Sequence, residues 1–108
     1  MSMLKIASGS DPSAAAGAVA NTIREEGTAE MQAIGPKAVN QAVKCVSIAR
    51  GYVAPSGLDL FFVPSFVDVE INEEMKTAVK FTVRSRTPVA RLKPRTRQGG
   101  IIPEEGEL

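Results

Sequence analysis

The chain has no histidine and no tryptophan, and it has one cysteine, Cys45. The missing histidine removes the commonest general base and the commonest metal ligand. A single cysteine cannot form an intramolecular disulfide, which fits a reducing compartment. We therefore expect no catalytic site, no metal site and no cofactor, in a protein of the cytoplasm.

Long apolar runs are also missing. No segment approaches the roughly 20 consecutive apolar residues that a membrane span needs, and the N-terminus lacks the features of a signal peptide. We expect no membrane association. Aromatic residues are few, and the 44% hydrophobic content is mainly alanine and valine. Small side chains suit a thin layer of helix against sheet, and 108 residues allow one domain.

The net charge of +1 conceals an uneven distribution. Residues 1–83 carry a net charge of −2, residues 84–97 carry +6, and residues 98–108 carry −3. Proline and glycine recur from Thr87 onward. The sequence therefore predicts a folded domain over residues 1–86 and a flexible basic arm with an acidic tip over residues 87–108.

Periodicity and turn residues predict four strands and two helices. Pro64 lies within the third strand, where a missing N–H predicts an interruption at an edge or a bulge. The predicted elements are a strand over 3–7, a helix from the N-cap Asp11 to Gly27, a strand over 28–34, a helix from Pro36 to a stop at Gly51, a strand over 58–71, a turn over 72–74 and a strand over 77–83.

This β-α-β-α-β-β order predicts an α+β fold with two helices packed on one face of a mixed four-stranded sheet. The other face is left to water or to a partner. Four apolar strand residues fit either placement, covering the free face or packing under the helices: Val67, Val69, Val79 and Phe81.

The start of the second helix is one candidate site. Gly35, Pro36 and Lys37 either hold a phosphate through free N–H groups and the helix dipole, or simply cap the helix. The polar residues that follow form either a solvated face or a nucleic-acid or dimer contact; with Lys37 they are Asn40, Gln41 and Lys44.

A basic run near the C-terminus is the second candidate. Its charges would release counterions on binding a polyanion. A solubilising tail, a contact with an acidic protein and a self-interaction with the acids between Glu104 and Glu107 remain alternatives. Its members are Arg84, Arg86, Arg91, Lys93, Arg95 and Arg97.

We expect structural roles for the cysteine and for the acids near the last turn. Cys45 lies between the apolar and polar faces of the second helix, and without a histidine base we expect a buried or half-buried, unreactive thiol. The acids Asp68, Glu70, Glu73 and Glu74 cluster around a hairpin, where they protect an edge strand more readily than they bind metal.

Two segments are distinctive: residues 32–44, QAIGPKAVNQAVK, and residues 48–57, IARGYVAPSG. Together with LDL at 58–60 and KTAVKF at 76–81, they resemble the bacterial stage V sporulation protein S family over about residues 3–84. That family in turn resembles the Alba domains of archaeal chromatin. This resemblance implies an Alba-like fold, a homodimer paired through the second helix, and binding of DNA or RNA.

Two hypotheses follow. In the first, the protein is a dimeric, Alba-like nucleic-acid-binding protein that contacts the phosphate backbone through Lys37, Lys44 and the arginines of the arm. In the second, it is a regulatory or structural protein of sporulation that acts through protein partners, which the acidic hairpin favours.

Overall fold

The computed structural model describes residues 3–87. Its order is β-α-β-α-β-β, with one short 3₁₀ turn after the second helix, and the α+β fold predicted from the sequence is confirmed. The elements are β1 (Met3–Ile6), α1 (Pro12–Glu26), β2 (Thr28–Ala33), α2 (Pro36–Val53), β3 (Leu60–Ile71) and β4 (Glu74–Ser85).

The sheet has the strand order β1-β2-β4-β3. β1 and β2 run parallel, as a helical crossover requires, and the two other pairs are antiparallel. β3 and β4 are each 12 residues long, whereas β2 has six and pairs only with residues 79–84 of β4. The far half of the β3–β4 hairpin therefore extends beyond the sheet.

The core lies between the sheet and the helices. Phe81, Ile23 and Met31 are among its largest fully buried side chains, and Phe62 meets Phe81 edge to face with ring centroids 5.0 Å apart. Most other members are small, which lets the helices approach the sheet and each other closely. The buried alanines that face this layer are Ala16, Ala20, Ala29, Ala33, Ala38, Ala42 and Ala49.

The helix starts follow the predictions. The Asp11 side chain accepts a hydrogen bond from the Ser13 N–H at 3.0 Å, with Pro12 in the first turn, and Gly27 ends α1 in the left-handed conformation. α2 likewise begins at Pro36.

The predicted stop at Gly51 is wrong, because α2 continues to Val53. Burial explains the extension: the Val53 side chain is fully buried, which offsets the cost of a glycine inside a helix, roughly 1 kcal/mol. A 3₁₀ turn over Ala54–Ser56 follows, and Gly57 with a φ of 84° supplies the left-handed conformation that closes it.

The predicted interruption at Pro64 is also wrong, although its edge position is confirmed. The β3–β4 register is continuous, with Pro64 opposite Phe81, and β3 is an edge strand. Alternate residues of an edge strand point their N–H groups away from the neighbouring strand. Counted from the hairpin loop, Pro64 occupies such an outward position, so its missing N–H removes no bond within the sheet.

The hairpin turn is tighter than predicted. Only Asn72 and Glu73 form the loop, and Glu74 already pairs with Ile71 as the first residue of β4. Both loop residues have positive φ, 52° and 65°, which is the pattern of a type I′ turn. This turn matches the twist of the strands but holds Glu73 in a conformation that glycine adopts more easily.

The register also shows which face of the sheet is occupied by the four apolar strand residues that the sequence did not assign: Val67, Val69, Val79 and Phe81. Phe81 and Val79 belong to the helix-covered side, where Phe81 is buried and Val79 packs against the core. Val67 and Val69 lie opposite Ala78 and Lys76 on the helix-free side. The four residues are thus divided between the two faces.

Candidate nucleic-acid interface

The N-terminus of α2 is built by Gly35 and Pro36. Gly35 has a φ of 88°, which side chains disfavour, and within the described chain no side chain caps the helix there. Pro36 fixes the first helical φ and has no N–H of its own. The N–H groups of Lys37 and Ala38 lie in the first turn, where no intrahelical acceptor is available.

This helix start opens into a groove of about 750 Å³ at the end of the sheet. One wall comes from the ends of β1 and β2 and from the α2 start, including Lys5, Gln32 and Lys37. The other wall is the hairpin, through Val69, Glu70 and Ile71. Two lysines and a helix N-terminus therefore share one groove, opposite a single carboxylate on the hairpin.

The remaining predicted residues of α2 have different surroundings. Asn40 and Lys44 are exposed on the helix. The Gln41 side chain donates from Nε2 to the carbonyl oxygen of Ser10 at 2.9 Å, and so ties the β1–α1 loop to α2. Val43 lies on the same exposed side with 38% of its surface accessible. This helix face therefore carries both polar and apolar side chains.

Arg84 and Arg86 lie at the other end of β4. Arg84 is exposed on the helix-free face, opposite Phe61 in the β3–β4 register. Arg86 donates to a carboxylate oxygen of Asp59 at 3.0 Å and stacks over the Phe61 ring, 5.2 Å from its centroid. The guanidinium of Arg86 thus has two structural partners, the Asp59 carboxylate and the Phe61 ring.

Arg50 also has a structural role. It forms an ion pair with Asp59 at 3.1 Å and donates to the carbonyl oxygen of Leu60. Leu60 is the first residue of the edge strand, so Arg50 anchors the point where the chain enters β3.

The predicted site residues do not converge on one point. Gly35 and Lys37 lie at the groove, Asn40, Gln41 and Lys44 along α2, and Arg84 and Arg86 at the opposite end of the sheet. The other predicted cations, Arg91, Lys93, Arg95 and Arg97, lie outside the described residues.

Sequence reasoning missed three polar residues of the sheet: Lys5, Gln32 and Lys80. The register pairs Lys5 with Gln32 and Gln32 with Lys80, so they form one row across three strands. Alternation in each strand indicated that these side chains point away from the core. Their alignment depends on strand order and register, which the sequence did not supply.

Cys45 behaves as predicted for a structural thiol. It is fully buried in α2, and burial raises its pKa from 9.0 to about 11. The neutral thiol therefore predominates at neutral pH, and it is the thiolate that reacts. Among residues 3–87, no cluster of three potential metal ligands is found, and no helix is long and apolar enough to cross a membrane.

Most of the chain matches the model of a known protein family. The family model described as "Stage V sporulation protein S (SpoVS)" matches residues 2–86. The chain belongs to this family. Membership makes it a sporulation-related protein, and it confirms the resemblance that the segments around Gly35 and Gly51 indicated.

Proposed function

We propose that this sporulation-related protein is a non-catalytic, Alba-like nucleic-acid-binding protein that contacts the phosphate backbone of DNA or RNA. The observation that carries the proposal is the groove at the end of the sheet. It brings Lys5, Lys37 and the N-terminus of α2 together. Free N–H groups, a positive helix dipole and lysine side chains are the groups that bind phosphate.

The rest of the molecule supports contact with the backbone over reading of bases. Lys44 on α2 and Arg84 on β4 add exposed cations to the same protein body. The basic run from Arg91 to Arg97 adds four more positive charges near the C-terminus. Phosphate contacts position a protein on a nucleic acid without specifying sequence.

A salt series tests this proposal. The full chain is titrated into fluorescently labelled duplex DNA, single-stranded DNA and RNA, and binding is followed by anisotropy between 50 and 300 mM salt. We expect the logarithm of the binding constant to fall linearly with the logarithm of salt concentration, by about 0.7 to 0.9 per phosphate contacted. Binding that does not change with salt, or no binding to any of the three probes, contradicts the proposal.

Matched variants locate the contact. Replacing Lys37 and Lys44 with glutamine should reduce the salt slope by about 1.4 to 1.8. Replacing the four cations between Arg91 and Arg97 should reduce it further if the C-terminal segment also contacts phosphate. Arg24→Gln is the control because Arg24 lies on α1, where its guanidinium bonds to Asn21 and to the Tyr52 carbonyl. An equal loss in the control would contradict a localised contact.

We further propose a homodimer that pairs through α2 and the later strands. Support comes from apolar side chains exposed on these elements. Val43 on α2 is 38% accessible, Phe66 on β3 is 80% and Met75 on β4 is 66%. Sedimentation velocity of the full chain should give a dimer, and replacing Val43 and Phe66 with serine should shift it toward monomer. A monomeric wild-type chain contradicts this part.

The second candidate function is a protein interaction in sporulation. The hairpin favours it, because the acids Asp68, Glu70, Glu73 and Glu74 lie close to the exposed Phe66 and Met75. An acidic surface with apolar side chains suits a basic protein partner better than a phosphate backbone. Recovery of a defined protein on the immobilised chain after nuclease treatment, lost with Phe66→Ser and Met75→Ser, supports this function.

A further inference from the structure

The helix-free face of the sheet carries a polar row in strict register. Lys5 pairs with Gln32, Gln32 pairs with Lys80, and Lys80 pairs with Ser65. Paired residues share a face, and the alternate residues on these strands, such as Ala33 and Phe81, are buried under the helices. The four side chains therefore cross the whole sheet on its open side.

Positive charges outnumber negative charges on this face. Among the described strand residues that point to it, the cations are Lys5, Lys76, Lys80 and Arg84, and the acids are Glu30 and Glu74. The two acids lie near cations, with Glu30 3.9 Å from Lys80 and Glu74 3.5 Å from Lys76. Lys5, on the edge strand β1, and Arg84, near the end of the inner strand β4, are both exposed.

The spacing of these cations suits an extended polyanion. Strands lie about 4.8 Å apart, so Lys5 and Lys80 are separated by about 10 Å across the sheet. At about 3.3 Å per residue, Lys80 and Arg84 are about 13 Å apart, and Lys76 and Arg84 about 26 Å apart. The cations of β4 therefore form a column about 26 Å long, which an extended strand can follow with several phosphates.

An aromatic ring completes the face at one end. Phe61 lies opposite Arg84 on the helix-free side, is partly exposed, and is stacked by the Arg86 guanidinium at 5.2 Å. Asp59 holds that guanidinium in place at 3.0 Å. Rings and guanidinium planes are the surfaces on which unpaired bases stack.

We propose that the helix-free face of the sheet binds single-stranded nucleic acid, with phosphates along Lys5, Lys80 and Arg84 and a base stacked at Phe61 and Arg86. This inference rests on the proposed nucleic-acid function and gives it a substrate class. A duplex presents only its phosphates to a flat face, because its base planes are already stacked inside the helix. A lone ring beside a cation column therefore favours an unpaired strand.

The test compares single-stranded and duplex probes on the full chain. Labelled 12-nucleotide dT and rU strands and a 12-base-pair duplex are titrated by anisotropy, with wild type, Phe61→Leu, Lys5→Gln/Arg84→Gln and the control Arg24→Gln. We expect Phe61→Leu to weaken single-strand binding about fivefold or more and to leave duplex binding unchanged. We expect the double variant to weaken single-strand binding about tenfold and to reduce the salt slope by about 1.4.

The outcomes separate this inference from the proposed function. If only Lys37→Gln/Lys44→Gln weakens single-strand binding, the sheet face is not the site and the inference is overturned, while the proposed function stands. Equal losses in Lys5→Gln/Arg84→Gln and Arg24→Gln, or tighter binding of the duplex than of both strands, also overturn it. If wild type binds none of the probes, both proposals fail together. Thermal unfolding of each variant confirms that it is folded.

Discussion

The two faces of the sheet are made from the same strands and differ in almost every property. Toward the helices, the strands present Met31, Phe81 and Val83, which are almost completely buried. Toward the open side, they present the charged and polar row of Lys5, Gln32 and Lys80 together with apolar side chains such as Val63 and Val67. Because side chains alternate along a strand, one register decides both sets. Substitutions at neighbouring residues can therefore alter stability and the proposed binding separately.

The largest expected loss of stability comes from a substitution on the helix-covered face. Phe81→Ala should destabilise the fold by about 3 to 5 kcal/mol, since it removes a buried ring and leaves a cavity beside Phe62. Its neighbour in sequence, Thr82, points to the open face and provides the matched control. Thr82→Ala should cost about 0.5 kcal/mol or less. Urea unfolding measures both, and similar costs would contradict the assignment of faces.

The next effect concerns Cys45, which lies in the helical layer above the covered face. Its pKa is about 11 in the folded chain and 9.0 as a free thiol. Below pH 9 the thiol is neutral in both states, so stability does not depend on it. As pH rises from 9 to 11 the unfolded chain loses this proton first, and stability falls by about 2 to 3 kcal/mol.

Comparison with Cys45→Ala isolates this group. The variant should be less stable than wild type at pH 8, and the difference should shrink as pH approaches 11. All other ionisable groups are common to both proteins, so their contributions cancel in the difference. A constant difference in the unfolding free energy from pH 8 to 11 would show that the thiol is not buried as described.

A smaller effect on stability is expected at the tip of the β3–β4 hairpin, which extends beyond the rest of the sheet. Glu73→Gly should stabilise the protein by about 0.5 to 1 kcal/mol, because glycine adopts the φ of 65° without strain. Glu73→Gln removes the same charge and keeps the strain, so it should change stability little. Thermal unfolding measures both, and equal gains would mean that charge and not backbone strain decides stability there.

An effect of similar size concerns the Asp59 ion pairs where α2 and β4 meet the start of β3. Asp59→Asn should cost about 0.5 to 1 kcal/mol, since its side chain and those of Arg50 and Arg86 are about half exposed. The loss should shrink in 1 M salt. A cost above about 2 kcal/mol that does not respond to salt would indicate a buried network instead.

Much of this fold follows from local signals in the sequence. Asp11 with Pro12 sets the start of α1, Gly27 its end, and alternation marks the strands. The signals failed where tertiary packing overrode local preference. Gly51 is tolerated inside α2 because Val53 is buried beyond it, and Pro64 continues a strand because its position faces outward from the sheet edge.

The candidate site was predictable only in part. The cap at Gly35 and the cations of α2 were visible as local patterns, and the structure places Gly35 and Lys37 at the groove and Lys44 further along α2. The row from Lys5 to Ser65 joins four segments that are far apart in sequence. Only strand order and register bring them together, so no pattern within one segment indicated it.

The most direct test of the central claim is an NMR titration of the uniformly ¹⁵N-labelled full chain with a 12-nucleotide dT strand. Backbone amide shifts report which residues meet the ligand. The two-face account predicts the largest changes at Lys5, Gln32, Lys80 and Arg84, with a second group around Lys37, and little change along α1. Changes confined to the acidic hairpin or to α1, or no change at saturating strand, would contradict the account.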